Sequence, residues 1–371
     1  MKLRGRVVTP DGVIDDGEVT IEEGRIAAVG RPSHGERAAP DGVGWILPGF
    51  VDLHVHGGGG HTFTTGDPSS ARAAARFHGR HGTTTMLASL VSSPYQLMRD
   101  ATVAFGPLIA QGVLAGLHYE GPYLSRNRCG AQNPAYLRDP DPAELSTLVE
   151  LGGVRMVTIA PELPGALDTI GYLRERGVIV AIGLTDASYE QTTAAIAAGA
   201  AVGTHVCNGM RPVHHREPGP IIALLDAPGV ICEQVADGHH LHDGMLRHVI
   251  RTAGPDRVAL ITDAMDAAGM ADGDYELGGQ AVVVTDGVAR LARGGAIAGS
   301  TLTMDAAVRR AVHSGVSIVD AARMAAGTPA RALGLDAEIG TIEVGRRADL
   351  VRLDDALAVT GVLRAGEPYP D

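Results

Sequence analysis

Eight short apolar runs recur through the middle of the chain, each followed by a polar turn and usually by an Ala-rich stretch with helical periodicity. They span residues 45–52, 83–89, 113–118, 154–159, 178–182, 201–206, 230–235 and 258–261. Strands that alternate with helices form parallel sheets, and eight strands are the number that a closed barrel needs. The pattern therefore predicts an α/β fold, a (β/α)8 TIM-type barrel.

An open, doubly wound sheet is the alternative fold for such an alternation. That fold would be expected to place a Gly-rich phosphate-binding turn after its first strand, followed by an acidic ribose ligand. The four glycines at 57–60 instead follow a pair of histidines, and no Asp or Glu stands at the expected ribose position. The barrel is the favoured interpretation.

The two ends of the chain contain short β-like runs broken by Gly and Asp, at 6–8, 18–21, 26–29 and 340–353. Because the termini of a domain often lie close together, we predict a small β-sandwich domain formed by residues 1–47 plus 340–371. The catalytic barrel would then span residues 48–339. A segment rich in Gly and Val, at 274–297, predicts a β-hairpin inserted after the eighth strand.

Composition narrows the class of protein. The 371 residues include 45% hydrophobic and 4% aromatic residues and carry a formal net charge of -12. No stripe of Lys and Arg is present to neutralise phosphates, which argues against a nucleic-acid surface. No apolar run approaches the ~20 residues of a membrane span, and the N-terminus lacks a signal-peptide core. Three cysteines without CxxC spacing suit a reducing compartment, so a soluble, cytoplasmic enzyme is expected.

Metal-binding side chains stand at the ends of four of the eight runs. Run one ends in His54 and His56, whose period-two spacing points both imidazoles to one side. Runs three, six and eight lead to Glu120, His205 and Asp263. Any one of these residues alone could be a solvated turn residue or a helix N-cap. In barrels of this kind the strand ends meet at the active site, so together they predict a site for a divalent metal.

Joined motifs along the chain resemble those of one known family. They are PGFVDLHVHGGGG (48–60), HYEGPYLS (118–125), THVCNGM (204–210), HHREPG (214–219), ADGHHLH (236–242), ITDAM (261–265) and AGSTLTM (298–304). In order and spacing they are similar to the motifs of N-acetylglucosamine-6-phosphate deacetylases, and GTIEVGRRADLV (340–351) is typical of amidohydrolases more widely. The resemblance covers essentially the whole chain.

The resemblance implies roles for the strand-end residues. Glu120 and His205 would be metal ligands, and His54 and His56 would build a second or alternative site. Asp263 would be the catalytic acid/base, taking a proton from the attacking water and returning it to the departing amine. Zinc is the expected ion, with iron, manganese or cobalt as alternatives, because sites of His, Glu and Asp accept them all.

The resemblance also implies a set of substrate-binding residues. Arg216 and the backbone near Asn208 and Gly209 would bind the phosphate, since an Arg fork and an amide nest both suit that group. His240, within the motif that includes Asp237, would contact the sugar phosphate or hydroxyls. The remaining predicted contacts are Ala131, Gln132, Ile297, Ala298 and Gly299. An ordinary surface salt bridge for Arg216 and an ordinary loop position for His240 are the alternatives.

Two places depart from the family pattern, at Leu184 and in the loop at 127–134. Leu184 stands where the resemblance implies a metal-binding His, and leucine has no electron pair to donate. Gln132 replaces a substrate-contacting His and keeps a hydrogen-bonding end without a charge. Cys129 lies in the same loop, either as an idle thiol or as a residue that touches substrate or metal.

We predict metal-dependent hydrolysis of N-acetylglucosamine 6-phosphate to glucosamine 6-phosphate and acetate, with the phosphosugar as the small-molecule partner. Leu184 leaves three possibilities open. The metal has moved to a mononuclear site of His54, His56, Glu120 and Asp263, or the chain is an impaired or non-catalytic phosphosugar-binding homologue, or it hydrolyses another N-acyl or cyclic amide. A homodimer is expected from the resemblance alone.

Overall fold

In the computed structural model, which describes residues 1–32 and 44–370, strands and helices alternate along most of the chain. The strands are β1 (Lys2–Thr9), β2 (Gly12–Glu22), β3 (Arg25–Gly30), β4 (Trp45–Pro48), β5 (Phe50–Val55), β6 (Gly57–Gly58), β7 (His61–Thr62), β8 (Thr83–Val91), β9 (Gly116–Glu120), β10 (Val154–Ile159), β11 (Ile179–Ile182), β12 (Val202–Gly203), β13 (Ile231–Val235), β14 (Val258–Ile261), β15 (Gly273–Leu277), β16 (Gln280–Thr285), β17 (Val288–Leu291), β18 (Leu350–Leu353), β19 (Val359–Arg364) and β20 (Glu367–Pro368).

The α-helices are α1 (Pro68–Arg80), α2 (Tyr95–Ala110), α3 (Pro142–Glu150), α4 (Ala166–Glu175), α5 (Tyr189–Ala198), α6 (Gly219–Asp226), α7 (Asp243–Ala253), α8 (Met304–His313), α9 (Ile318–Ala322) and α10 (Thr328–Ala332). A 3-10 turn at Pro255–Arg257 precedes β14, and a π-helical turn at Arg323–Gly327 joins α9 to α10. Several helices begin where the sequence provides a cap: the Asp67 side chain accepts from two amides at the start of α1, with proline at the first helical position. Within the described ranges, no helix is both long and apolar enough to cross a membrane.

The central sheet consists of β5 and β8 to β14, paired in chain order and all parallel. Its two edges meet at their carboxyl ends, where the Asp263 amide donates to the His54 carbonyl at 2.9 Å and the His56 amide donates to the Ala264 carbonyl at 2.7 Å. The sheet is therefore a nearly closed barrel, which confirms the predicted (β/α)8 fold. Most residues of these strands are buried, as expected for parallel strands covered on both faces.

The first predicted run is divided in the structure, and the sixth is shortened. The first apolar run belongs to two elements: β4 lies in the terminal sheet, and the barrel begins at Phe50. Gly49 joins them in a place with no room for a side chain, since a Cβ there would lie 2.4 Å from Thr84 Oγ1. The run predicted at 201–206 shortens to β12, because the backbone leaves the strand at His205 with a φ of 26°. An apolar run does not show where the chain passes from one sheet to another.

The predicted terminal β-structure is a seven-stranded sheet with the order β20, β19, β18, β4, β1, β2, β3. It curls until β3 meets the segment before β18, where the Ile26 amide donates to the Arg346 carbonyl at 2.9 Å. A separate apolar core lies inside the curl, formed by Val7, Val19, Ile21, Ile26, Ile46, Ile342, Ala348, Leu350 and Leu363. Residues 33–43 of the predicted 1–47 segment lie outside the described residues, and the domain limits stay a prediction.

The insertion after the eighth barrel strand has three antiparallel strands, β15, β16 and β17, where we predicted a hairpin of two. The prediction missed β15 because Gly273–Leu277 is mostly polar and exposed. Apolar residues of the insertion pack against Met265 and Ala298, beside the carboxyl ends of the barrel strands. The insertion therefore forms part of the wall around the mouth of the barrel.

Candidate active site

A cavity of about 280 Å³ opens at the carboxyl ends of the barrel strands. Four of the five predicted catalytic and metal-binding residues line it: His56, Glu120, His205 and Asp263. The fifth, His54, is fully buried next to them, with its Nε2 atom 3.1 Å from Nε2 of His56. The structure therefore brings all five residues from distant parts of the chain to one place.

The two imidazoles are held by partners on their outer sides. Nδ1 of His56 lies 3.1 Å from the Ser89 carbonyl oxygen, and Nδ1 of His54 lies 3.3 Å from Glu233 Oε2. A carbonyl oxygen only accepts, so Nδ1 of His56 carries a hydrogen, and in the neutral ring Nε2 presents a lone pair. The His54 ring has the same arrangement when it donates to Glu233. With both rings neutral, the two Nε2 lone pairs face each other with no hydrogen between them. A cation bound between the rings would stabilise that arrangement.

Carboxylates complete this group of donors. Asp263 Oδ1 lies 3.2 Å from His56 Nε2 and 3.5 Å from His54 Nε2. Glu120 Oε2 lies 3.2 Å from His56 Nε2, and Glu120 Oε1 lies 3.6 Å from His54 Nε2. A tetrahedron with metal–ligand bonds of roughly 2.0–2.1 Å has edges of about 3.3 Å. The spacing of His54, His56 and Glu120 therefore fits a divalent cation, and these three form a compact ligand group. Asp263 adds a carboxylate oxygen next to both imidazoles.

The electrostatics of the group favour added positive charge. Burial by itself lowers the pKa of His56, but hydrogen bonds to Asp263 and Glu120 outweigh it and raise the pKa to about 9. The pKa of His54 is raised well above its ordinary value, where the charges of Glu120 and Asp263 overcome the effect of burial. Burial opposes ionisation of Glu120, yet the His54 charge and the hydrogen bond from His205 hold its pKa well below the usual range. A bound cation would supply the charge that these carboxylates demand.

The other part of the rim has fewer donors. His205 Nε2 lies 2.9 Å from Glu120 Oε1, whereas its buried Nδ1 has no hydrogen-bond partner among the described residues. Leu184, beside it in the cavity wall, is 3% exposed and packs in an apolar cluster with Leu124, Leu137 and Cys129. We call His54, His56 and Asp263 the histidine side, and Leu184 with His205 the leucine side. Glu120 lies between them.

Left-handed backbone conformations occur at the strand ends that carry these residues. The φ angles are 46° at Leu184, 26° at His205 and 50° at Asp263. Non-glycine residues in sparsely populated regions cost of order 1–3 kcal/mol each and persist only where the surroundings enforce them. At Asp263 the enforcing contacts are backbone hydrogen bonds to His54 at 2.9 Å and from Ser300 at 2.7 Å. Such strain is concentrated at functional sites.

Comparison with known proteins agrees with this geometry. A family model described as "Amidohydrolase family" matches residues 45–369, which is most of the chain. The chain belongs to the amidohydrolase family. It is 38% identical to N-acetylgalactosamine-6-phosphate deacetylase of Escherichia coli O157:H7, over 98% of this chain and 97% of that protein. It is 35% identical to N-acetylglucosamine-6-phosphate deacetylase of Lysinibacillus sphaericus, over 97% and 95% of the two chains.

A solved structure matches this amidohydrolase over its whole length. It is a mutant of N-acetyl-D-glucosamine-6-phosphate deacetylase from Mycobacterium smegmatis in complex with N-acetyl-D-glucosamine-6-phosphate. The TM-score is 0.96 and the sequences are 44% identical, with 100% of this chain and 99% of that chain covered. The fold of the deacetylases is thus reproduced here from end to end.

Most of the predicted substrate-binding residues surround the cavity of this amidohydrolase. Those that line it are Ala131, Gln132, Asn208, Gly209, His240, Ile297 and Gly299. Ala298, between two of them, is fully buried. Asp237 Oδ2 lies 2.7 Å from His240 Nδ1 and so fixes the ring, whose Nε2 lies 3.8 Å from Asp263 Oδ2.

Three predicted residues have surroundings that the sequence did not indicate. Arg216 lies on an exposed turn with its guanidinium 2.7 Å from the His215 ring, and it does not line the cavity. Cys129 packs against the cluster of Leu184 instead of facing the cavity. Gln132 uses both ends of its amide: Nε2 donates to Glu120 Oε2 at 2.6 Å, and Oε1 accepts from the Ser92 amide at 2.7 Å.

Sequence reasoning gave no role to three buried polar residues beneath the site. Asp52 accepts hydrogen bonds from the Thr262 hydroxyl and the His54 amide, and burial raises its pKa to about 7. His118 packs edge-on against the His54 ring, at 4.6 Å between centroids, and burial lowers its pKa well below the usual value. Glu233 contacts His54, as described above. The signal available was a charged or polar residue inside an apolar strand, which is expensive to bury without a partner.

Proposed function

We propose that this amidohydrolase hydrolyses the acetamide group of N-acetylglucosamine 6-phosphate, giving glucosamine 6-phosphate and acetate. The observation that carries the proposal is the convergence of His54, His56, Glu120 and Asp263 at one end of the barrel, with donor spacings of 3.1–3.6 Å. The end-to-end similarity to deacetylases, one of them solved with this phosphosugar, supports the choice of substrate.

We further propose that His54, His56, Glu120 and Asp263 hold one divalent cation, with zinc as the expected ion. A cation held there would polarise the amide carbonyl and make water a better nucleophile. The resemblance implied His205 as a ligand. With Leu184 beside it, we propose instead that His205 orients Glu120 through the contact of 2.9 Å between Nε2 and Oε1.

Asp263 is the proposed acid/base. An amide has a poor leaving group, so its hydrolysis needs proton removal from the attacking water and proton delivery to the departing nitrogen. Oδ1 of Asp263 faces the two imidazoles, while Oδ2 lies toward His240 in the cavity wall. One carboxylate can therefore serve both proton transfers in turn. The pKa of Asp263 is held below its usual value, because the His54 charge and the His56 hydrogen bond overcome burial, so the group begins as a base.

The rest of the cavity contains the residues that we propose bind the phosphosugar. We propose that Asn208, Gly209 and His240 bind its polar groups, and that Ile297, Ala298 and Gly299 form the wall beside the acetyl-sugar. The phosphate role of Arg216 stays a prediction, because its guanidinium contacts His215 outside the cavity lining. A cytoplasmic location and a homodimer likewise stay predictions from the sequence.

The test is acetate release by the purified protein loaded with one divalent metal. N-acetylglucosamine 6-phosphate should be turned over, unphosphorylated N-acetylglucosamine should be a far poorer substrate, and Asp263→Asn should lower kcat by about 10²–10⁴-fold. N-acetylgalactosamine 6-phosphate is a necessary comparison, since one relative is named for that substrate. If kcat/KM is higher for N-acetylgalactosamine 6-phosphate, that phosphosugar is the preferred substrate and the proposed substrate is wrong.

A non-catalytic phosphosugar-binding protein is the alternative. It would be stabilised thermally by N-acetylglucosamine 6-phosphate without releasing acetate at any metal concentration. Acetate release by Leu184→His but not by the parent chain would mean that the site is present in outline and disabled by the leucine.

A further inference from the structure

Glu233 is a fully buried carboxylate inside the barrel, in the middle of the apolar strand β13. Taking a carboxylate out of water is costly, so its presence calls for specific partners. Its strand neighbours are otherwise suited to packing, apart from Gln234. A hydrophobic residue would satisfy the strand at lower cost, which suggests that the carboxylate is retained for another reason.

One oxygen of Glu233 contacts two residues of the proposed site. Oε2 lies 3.3 Å from Nδ1 of His54 and accepts from the backbone amide of His205, also at 3.3 Å. In the neutral ring, the first contact places the His54 hydrogen on Nδ1, so Nε2 presents its lone pair to His56, Glu120 and Asp263. The second contact supports the left-handed backbone at His205, where φ is 26°. One atom therefore connects the histidine side to the leucine side.

The second oxygen of Glu233 argues against a purely structural role. Oε1 is buried and has no hydrogen-bond partner among the residues that the structure describes. A carboxylate kept only to join strands would be expected to use both oxygens, because each buried unsatisfied polar atom costs about 1–3 kcal/mol. The unsatisfied Oε1 is explained if Glu233 is retained for the contact of its Oε2 with His54.

We propose that Glu233 is a positioning residue that fixes the tautomer and ring orientation of His54 and thereby sets the affinity of the site for a divalent cation. Carboxylates that accept from the outer nitrogen of a metal-binding imidazole make it a better ligand, and their loss typically costs 10–100-fold in metal affinity. The inference rests on the proposed metal centre. It adds a residue to that centre which neither the motifs nor the cavity lining included.

Glu233→Gln is the decisive variant, since the amide oxygen can still accept from His54 while the negative charge is gone. Zinc affinity is measured by competition with a chromophoric chelator, and cobalt binding by its visible absorption spectrum. We expect a 10–100-fold weaker zinc affinity and an altered cobalt spectrum. Rates measured at saturating metal should recover most of the parent value.

Asp305→Asn is the matched control, because Asp305 is another buried carboxylate bonded to an imidazole, His81 at 3.2 Å, outside the site. It should leave zinc affinity within twofold of the parent. Glu233→Asp serves as the second variant if the glutamine form does not fold, and the shortened side chain should also weaken zinc binding.

Zinc affinity within twofold of the parent in a folded Glu233 variant would overturn the inference and leave the proposed function standing. A parent protein that binds no divalent metal would instead overturn the proposed centre itself. A lower melting temperature of the metal-free variant with unchanged zinc affinity would assign Glu233 a structural role only.

Discussion

The histidine side and the leucine side stand at the same end of the same barrel, yet they differ in the donors that they offer. On the histidine side each ring has an outer partner, the Ser89 carbonyl or Glu233, and its Nε2 faces a shared space. On the leucine side His205 has a buried Nδ1 without a partner among the described residues, and Leu184 offers only methyl groups. The comparison shows that barrel topology places side chains together, while their chemistry and outer partners decide whether they can bind a cation.

The largest expected difference between the two sides comes from removing one imidazole from each. His56→Ala should abolish stoichiometric metal binding and lower kcat/KM by about 10³–10⁵-fold, since cation stabilisation is worth several kcal/mol. His205→Ala should keep one ion per chain and lose far less activity. Elemental analysis after gel filtration and acetate release measure both. Equal loss of metal from the two variants would show that His205 is also a metal ligand. The two sides would then not differ in metal binding.

The pH dependence of the unfolding free energy tests the role of His78, a buried residue that packs next to the histidine side. His78, fully buried, donates from Nε2 to the Gly57 carbonyl at 2.8 Å, directly after His56, and burial lowers its pKa to about 4. The ordinary value is 6.5, so between pH 6.5 and 4 the unfolded chain binds the extra proton. The contribution of His78 to the free energy of unfolding is therefore fully present above pH 6.5, and it is lost as the pH falls toward 4.

Between pH 7 and pH 5 the metal-free parent should lose about 2 kcal/mol more unfolding free energy than His78→Gln. The glutamine side chain can still donate to Gly57 but does not titrate. Urea unfolding at the two pH values gives the comparison, and parallel losses in parent and variant would show that His78 is not held neutral by burial.

The smallest expected change in rate comes from adding a donor to the leucine side. Leu184→His should raise the metal content from one ion to two per chain, while kcat/KM stays within about tenfold of the parent because the first set of donors is unchanged. Leu184→Met, which conserves volume, should keep one ion. One ion in both variants would mean that Leu184 is not what limits the leucine side.

Much of this arrangement could be predicted from local patterns. The apolar runs predicted the barrel, and their ends indicated five site residues: His54, His56, Glu120, His205 and Asp263. The errors had a common cause. The first run is continuous in sequence although the chain changes from the terminal sheet to the barrel at Gly49. The strand β15 is mostly polar and therefore has no apolar pattern. Hydrophobic periodicity indicates which face of a strand is buried, but it does not indicate which sheet contains the strand.

By itself, the sequence determined the number of barrel strands and the kinds of side chain at their ends, because both follow from residues close together in the chain. Only the tertiary structure decided that Glu233 contacts His54 across 179 positions, that Gln132 donates to Glu120, and that Arg216 lies outside the cavity lining. Such contacts depend on strand register and on closure of the barrel. Those are set by packing over the whole molecule, which no local pattern encodes.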